Sequence, residues 1–490
     1  MKRVILACLS GLFYSLSFPS FNLWPFIFVF AVPLLFAAED SSLKECMGLG
    51  FMAGLVAWAG NLYWVAYIMD IYGFIALPLC ALIFLLLISY LALYFGFFLI
   101  SCRLLMKSPF SILTIPGMWI FLEMIKSYAF TGFPWTLSGY ALAPFDAIIQ
   151  NAEWGGIYVL SGLALMGNVV LYNAIKKKYI PAVAGIIIIA CCIFWGAWRM
   201  DSLKLEGENL RVGVCQANIP QNQKWKKDMV NPTIDIYTRL SREAVSQGAE
   251  IIVWPETACN FFLFHEWAPT SRIVEISKEA DIPMLVGSPA IEDDKVFNRV
   301  WMLDQGLIRG YYDKTHLVPF GEYLPLPWLF GFLGNITQEV SDFSNARKLK
   351  PIEDIGVLVC FENVFPDLAR SLTKQGATWL LTASNDAWFL DWSTTEQHVR
   401  TAAIRAIENR RYLVMPVNHG ISAVIDPFGR IIRSLGLMKE GSFTVEIKKV
   451  SYRTLFNKIG SLIGWLWIFA GIAGLLLEIY RKYRGRVLTS

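Results

Sequence analysis

The sequence predicts two bodies, an α-helical membrane bundle of about eight spans and a layered α/β domain inserted before the last span. Three observations carry that reading. Of the 490 residues 55% are hydrophobic and 17% charged, with a mean hydropathy of +0.47, against about 45–50% apolar and about 25% charged in an ordinary soluble domain. Charge is also unevenly placed: residues 1–198 hold 16 charged side chains, about 8%, and the other 292 hold 66, about 23%. From Leu210 onward, long apolar runs give way to short β-rich runs alternating with amphipathic helical patterns. A net charge of only +4, with 18 Trp, 19 Tyr and 34 Phe, argues against a nucleic-acid footprint and against disorder, and favours lipid or apolar partners.

A membrane span needs about 20 mostly apolar residues. Candidates are 4–18, 22–38, 47–69, 72–102, 108–125, 156–175 and 179–198, with 459–477 after the polar insert. The 72–102 run exceeds one span, which implies tilt or an interfacial end. Lys2 and Arg3, Lys44, Arg103 and Lys107, Lys176 to Lys178, and Arg481, Lys482, Arg484 and Arg486 fall on one side, and Lys126 alone on the other. The positive-inside rule then places the N-terminus in the cytoplasm and residues 199–458 outside. Lys2-Arg3 ahead of Ile5-Leu6-Ala7-Cys8 mimics a lipoprotein leader, but the apolar stretch before Cys8 is short of the about 7–15 residues of an h-region, so an uncleaved helix is expected. Gly48 to Gly54 lies in an apolar span with no Lys-Ser/Thr after it and reads as close helix packing rather than a nucleotide loop. Glu123 and Lys126, three residues apart, are expected to form a local ion pair at the interface.

Within the insert the candidate strands are 210–217, 251–254, 284–287, 297–304, 307–313, 356–361, 379–383, 413–417, 423–426 and 442–447. Helical patterns lie around 235–247, 271–279, 366–374 and 395–408; in the last, Glu396 and Arg400 are spaced for an i,i+4 pair and Thr394 or Thr395 can cap it. Helices over sheets follow from that alternation. Six of the nine cysteines fall in the apolar part, leaving Cys215, Cys259 and Cys360 in the insert. Outside the cytoplasm Cys215 and Cys259 could pair; three buried reduced cysteines is the equal alternative.

Most familiar chemistries are missing. There is no Gly-x-Ser-x-Gly, no P-loop and no His-Glu-x-x-His, and the four histidines (265, 316, 398 and 419) have no Cys-x-x-Cys nearby, so no metal is expected. What remains is Glu256, Lys314 and Cys360, each at or just beyond the end of a candidate strand, where α/β sheets assemble sites. A thiol with a pKa of about 8.5 is only a few per cent thiolate at neutral pH, so a nucleophilic cysteine needs a base or a cation beside it. Glu256 can take the proton and Lys314 can stabilise thiolate and oxyanion; pairing of Cys360 with His316, His398 or His419 is the rival arrangement.

The flanking words narrow this choice. Trp254-Pro255-Glu256-Thr257-Ala258, then the run from Lys314-Thr315-His316 through Pro319-Phe320-Gly321-Glu322-Tyr323 to Pro325, then Cys360-Phe361-Glu362, resemble the Glu-Lys-Cys signatures of the nitrilase superfamily. With eight spans around such a domain, the chain resembles the bacterial apolipoprotein N-acyltransferase family over nearly its whole length, including Thr131-Gly132-Phe133-Pro134-Trp135, Lys224-Trp225 and Ser384-Asn385-Asp386-Ala387-Trp388-Phe389. The resemblance implies a seven-span bundle over 1–198, an extracytoplasmic (periplasmic) nitrilase-like αββα sandwich over 199–458, and an eighth helix with a basic cytoplasmic tail over 459–490, in the bacterial inner membrane. It implies transfer of an acyl chain from a phospholipid donor, phosphatidylethanolamine first among them, to the α-amino group of a diacylglyceryl-modified apolipoprotein acceptor, with no cofactor, metal, nucleotide or nucleic acid. Cys360 would carry the acyl group as a thioester, Glu256 would be the base and Lys314 an oxyanion partner. Glu322 would act on the transition state or orient Lys314, Glu362 would support the cysteine loop, and Trp225 and Phe361 would assist. Phe361 stands where the family commonly has Tyr, and Leu390 where Gly is usual. Phe320, Leu324, Leu326, Trp328, Leu329 and Phe330, punctuated by Pro325 and Pro327, read as a lipid-facing loop that excludes water. The rival functions are a membrane-tethered amidase or lipid hydrolase that uses water, and a non-enzymatic binding scaffold.

Overall fold

The computed structural model describes residues 1–73, 75–323, 343–389 and 392–487. The chain divides into two compact units: Met1–Asp70, Ile75–Leu203 and Ile459–Ser490 form one, Ile71–Phe74 and Lys204–Lys458 the other.

The first unit is helical. Its main helices run over Lys2–Leu16, Ala31–Ala38, Leu43–Ile71, Leu77–Leu105, Ser111–Tyr128, Ile157–Ile175, Tyr179–Ser202 and Leu462–Val487. Among the described residues five are long and apolar enough to cross a membrane: Leu43–Ile71, Leu77–Leu105, Ile157–Ile175, Tyr179–Ser202 and Leu462–Arg481. The expected 22–38 span is instead a 3₁₀ turn over Trp24–Phe28 followed by a short helix over Ala31–Ala38. Pro25 and Pro33 lack an N–H and suit only first turns, so they start two short elements rather than continue one long one. The helix expected over 72–102 is displaced for the same reason: it begins at Leu77 with Pro78 in the first turn and runs to Leu105, 29 residues that still exceed one span. Gly50 and Gly54 do serve close packing: a Cβ added there would lie 2.4 Å from the Phe95 carbonyl oxygen and 2.6 Å from the Ala92 Cα.

Glu123 and Lys126 are buried and take other partners than each other, contrary to the interfacial ion pair expected of them. Ser138 donates its N–H and its hydroxyl to Glu123 Oε1 at 2.7 and 2.9 Å, while Lys126 donates to the Trp135 carbonyl at 3.2 Å and sits 4.3 Å from the Trp58 ring centroid. Residues 135–138 fold back over this helix end and supply partners that spacing along one helix could not reveal.

The second unit is a four-layer sandwich. Its strands are β1 (Gly207–Gln216), β2 (Ile251–Val253), β3 (Met284–Glu292), β4 (Lys295–Asp304), β5 (Leu307–Asp313), β6 (Ile355–Val359), β7 (Trp379–Ala383), β8 (Leu413–Met415), β9 (Ser422–Ile425), β10 (Ile431–Leu435) and β11 (Gly441–Val450). Six form one sheet in the order β11-β1-β2-β3-β4-β5 and five form another in the order β10-β9-β8-β7-β6. The two-residue period of a strand sorts side chains between layers. Val212, Val214, Ile251, Val253 and Leu285 meet Val357, Val359, Trp379, Leu381 and Val414 between the sheets. Cys215, Ile252, Trp254 and Val286 face outward to helices Val230–Ser246 and Trp267–Ala280. Leu358, Leu380 and Leu413 face the other way, to Pro366–Lys374 and Trp392–Asn409. Each such aliphatic or aromatic side chain contributes about 1.5–3 kcal/mol by leaving water.

Of the two states open to Cys215 and Cys259 the molecule has the reduced one. Both are free and pack as small hydrophobes in the helix-facing core, so no bridge joins them. The cysteine strand also ends earlier than expected, at Val359 rather than residue 361, with consequences for the site.

Candidate active site

β2, buried on both faces, delivers Glu256. Trp254 anchors the strand end: its ring stacks on Tyr237 at 4.5 Å between centroids and its Nε1 donates to the Ser241 hydroxyl at 3.0 Å. The chain then turns through Glu256 into Thr257, which is left-handed at φ 44°. Gly287 on β3 lies directly behind this turn. A Cβ there would sit 2.3 Å from the Pro255 carbonyl oxygen and 2.7 Å from the Thr257 nitrogen, so only glycine lets the turn settle against the sheet. Asn298 donates to Glu256 Oε1 at 2.7 Å and the Asn385 N–H to Oε2 at 2.9 Å, which fixes the carboxylate in one orientation.

Lys314 follows β5 and is buried. Its Nζ donates to Glu322 Oε1 at 2.9 Å and stands 3.5 Å from Glu256 Oε1. Glu322 is held by the Val318 N–H at 2.8 Å and by Asn298 at 3.1 Å, so Asn298 bridges both carboxylates. Burial works against the Lys314 ammonium, but Glu322 and Glu256 outweigh it and hold the group well above the usual lysine range.

Cys360 opens a 3₁₀ turn, Cys360–Val364, with a left-handed φ of 51°. A non-glycine residue there costs of order 1–3 kcal/mol and persists only when its surroundings over-determine it. Glu362 is the chief constraint. This carboxylate, fully buried, accepts from the Val359 N–H at 2.8 Å, the Thr315 N–H at 2.7 Å and hydroxyl at 2.6 Å, the His316 N–H at 3.0 Å and the Tyr312 hydroxyl at 2.9 Å. It therefore ties the cysteine turn to the loop that carries Lys314. Burial pushes the Glu362 carboxyl up, against the pull of those donors. Burial and then Glu256 push the Cys360 thiol up, while Lys314 draws it down; the sulfur rests as a thiol beside a base and a cation.

Other expected residues fall into three groups. Phe361 packs edge-on against Phe365 at 5.2 Å. Trp225 is 48% exposed, with the Lys224 ammonium 5.8 Å from its ring centroid, and Phe320 is exposed at a left-handed φ of 62°. Leu324, Leu326, Trp328, Leu329, Phe330 and Leu390 lie outside the described residues. Of the histidines in the rival pairing, His398 meets Cys360 through the backbone, its Nε2 being 3.1 Å from the carbonyl oxygen, and His316 lies against the Phe365 ring at 3.9 Å.

Residues 211–455 match the family described as Carbon-nitrogen hydrolase, and residues 10–170 match the Apolipoprotein N-acyltransferase N-terminal domain. A Geobacter metallireducens protein named Apolipoprotein N-acyltransferase is 33% identical over 98% of this chain and 96% of its own length. The chain belongs to the apolipoprotein N-acyltransferase family. Proteins of that name from Rhodopseudomonas palustris (30% identical; 94% of this chain, 92% of that one) and Aquifex aeolicus (29%; 90% and 97%) are similar over comparable spans. Among solved structures, the nitrilase-superfamily protein Nit3 of Saccharomyces cerevisiae is 18% identical with a TM-score of 0.39, over 50% of this chain and 91% of that one. An amidase from Nesterenkonia sp. gives 19% and 0.39, over 51% and 95%.

In this apolipoprotein N-acyltransferase family member the geometry adds residues that sequence reading missed. Asn298 lies mid-strand on β4, and its role exists only because β4 passes beside β3. Lys224 is buried in the four-residue helix Gln221–Lys224 and donates to the Thr257 hydroxyl at 2.7 Å and the Glu256 carbonyl at 3.4 Å. Burial lowers it to about 8, against the pull of Glu256. The one signal available was its position beside Trp225 in a motif of the family.

Proposed function

We propose that the chain is a membrane acyltransferase that moves an acyl chain from a phospholipid such as phosphatidylethanolamine, through a thioester on Cys360, to the α-amino group of a diacylglyceryl-cysteine at the start of an apolipoprotein. The observation that carries this is the convergence of Glu256, Lys314 and the left-handed Cys360 in a chain of this family. Glu256 takes the thiol proton as sulfur attacks the ester carbonyl. Lys314 and the Phe361 N–H face the oxyanion, and Glu322 keeps the ammonium charged and aimed. The lysophospholipid leaves with the proton from Glu256. The acceptor amine then attacks the thioester, Glu256 removes its proton, and the amide departs as the thiolate is restored.

Eight spans with residues 199–458 on the periplasmic face of the inner membrane fit this chemistry. Both substrates hold their acyl chains in a bilayer, and the Lys/Arg distribution supports that orientation. The apolar, proline-punctuated stretch from Phe320 to Phe330 suits a surface that meets lipid and keeps water from the thioester.

Product partition tests the reading against a hydrolase. Purified protein with labelled phosphatidylethanolamine is expected to pass the acyl group to a diacylglyceryl-Cys peptide with little free fatty acid. Fatty-acid release at one rate with and without the peptide would instead make it a hydrolase.

A further inference from the structure

Glu256 and Cys360 stand at strand ends of different sheets, Glu256 beyond β2 and Cys360 beyond β6, so the path between base and thiol depends on how the sheets are fastened at that end. Buried amide side chains form the fastening. Gln216, the last residue of β1, accepts from the Ser422 N–H at 3.1 Å and hydroxyl at 2.6 Å, and donates to the Gly436 and Lys439 carbonyls at 3.0 and 2.8 Å. Just beyond it the Asn218 N–H donates to the Asn418 carbonyl at 2.8 Å. Asn418 also meets Ile219 twice, donating from its side chain to the carbonyl at 2.9 Å and accepting from the N–H at 3.2 Å. Ser422 opens β9 and Asn418 lies between β8 and β9, so their contacts join one sheet to the other.

Asn385 is where this seam reaches the base. The parallel pairing of β7 and β8 sets Leu381 beside Val414 and, past the strand ends, Ser384 beside Val417; the next pair in that register is Asn385 and Asn418. Asn418 Nδ2 donates to Asn385 Oδ1 at 3.0 Å, Asn385 Nδ2 donates to Gln221 Oε1 at 2.9 Å, and the Asn385 N–H donates to Glu256 Oε2 at 2.9 Å. The peptide group that carries this N–H also accepts the Asn418 N–H at its Ser384 carbonyl, at 3.1 Å. An amide side chain fits either way round by shape, but a backbone N–H only donates and a carbonyl only accepts. Ile219 therefore fixes the Asn418 amide, Asn418 fixes Asn385, and Asn385 fixes Gln221. All three amides are buried, at a desolvation penalty that apolar side chains would avoid.

We propose that Gln221, Asn385 and Asn418 are positioning residues that lock the Ser384–Asn385 peptide against Glu256 Oε2 and so set where the base stands relative to the thiol across the two sheets. The inference rests on Glu256 being the base for Cys360, as in the reading above. Asn298 and Lys314 hold Oε1 from the first sheet, and Asn385 holds Oε2 from the second. Without the second hold the carboxylate keeps its lysine but turns about its own side chain, and the geometry for proton transfer is lost.

The test is acylation of Cys360 by p-nitrophenyl butyrate in the full-length protein in detergent, read as nitrophenolate release and as added mass on the Cys360 peptide. In that step sulfur bonds to the ester carbonyl carbon, the aryl C–O bond breaks, the thiol proton passes to Glu256 and nitrophenolate leaves. N418A frees one end of Asn385 and is expected to slow acylation about tenfold, the worth of about one hydrogen bond. Q221L removes a single contact at the other end and is expected to slow it a few-fold. Each substitution is then combined with E256Q. Because the amides act through the base, neither is expected to slow E256Q further. A role in stability alone would lower the melting temperature and leave the acylation rate of folded protein unchanged, or would slow E256Q by the same factor as the unaltered protein. Either result in Q221L, which leaves the rest of the seam in place, would overturn the proposal. The aryl ester needs no phospholipid, so the expected rates together with no adduct from phosphatidylethanolamine would sustain the seam and refute the acyl-transfer reading.

Discussion

Lys314 and Lys224 are each 1% exposed and each reaches Glu256, yet their pockets treat the same ammonium in opposite ways. Lys314 meets two carboxylates and is held well above the usual range. Lys224 meets a hydroxyl and a carbonyl and is lowered to about 8. Desolvation acts on both, so the difference comes from formal charge within reach. One pocket preserves a cation to meet an oxyanion; the other uses a lysine to brace the turn that carries the base.

Removing a carboxylate from the first pocket breaks the contrast most strongly. E322Q leaves Glu256 alone to hold the Lys314 charge and is expected to slow acyl-adduct formation by roughly 10²- to 10⁴-fold, as truncating one partner of a buried pair costs about 3–5 kcal/mol. Its alkaline limb should lie at lower pH than that of the unaltered protein, because the raised lysine relaxes downward. A rate and pH profile equal to the parent's would mean that Glu322 is not what holds the ammonium.

The second pocket predicts a smaller effect on rate and a distinct one on stability. Lys224 titrates near 8 when folded and near 10.4 when unfolded. Between those values the unfolded chain binds more protons, so folding stability rises with pH across that window, and the penalty is fully present below about 8. The gain amounts to roughly 3 kcal/mol at most. K224M should flatten this rise in thermal-shift measurements from pH 7 to 10 while acyl transfer falls only a few-fold. A rise that persists in K224M would assign it to another group.

The strands that buried both faces or alternated cleanly were legible in the sequence, since β6 and β7 are continuous buried apolar runs and β1 alternates through Leu210, Val212 and Val214. β10 was not, because its residues Ile431–Leu435 lie on the exposed edge of a sheet with nothing periodic to bury. Glu256, Lys314 and Cys360 were legible as strand-end residues in motifs. The left-handed turn at Cys360 was not, because the five donors that gather on Glu362 come from Tyr312 to His316 and Val359, and only the tertiary fold brings them together. Asn298 was hidden for the same reason, and so was the role of Lys224, whose place beside Trp225 was its one signal. In the helical unit, Pro25 and Pro33 were present in the sequence but outweighed by the apolar run around them.

The most direct measurement is intact-mass analysis of the unaltered protein and of K314M, each incubated with phosphatidylethanolamine, followed by hydroxylamine and peptide mapping. The account predicts one hydroxylamine-labile acyl group on Cys360 in the unaltered protein, and at least about 10²-fold slower formation in K314M because an oxyanion partner is gone. An acyl group on any other residue, or equal rates in the two proteins, would contradict it.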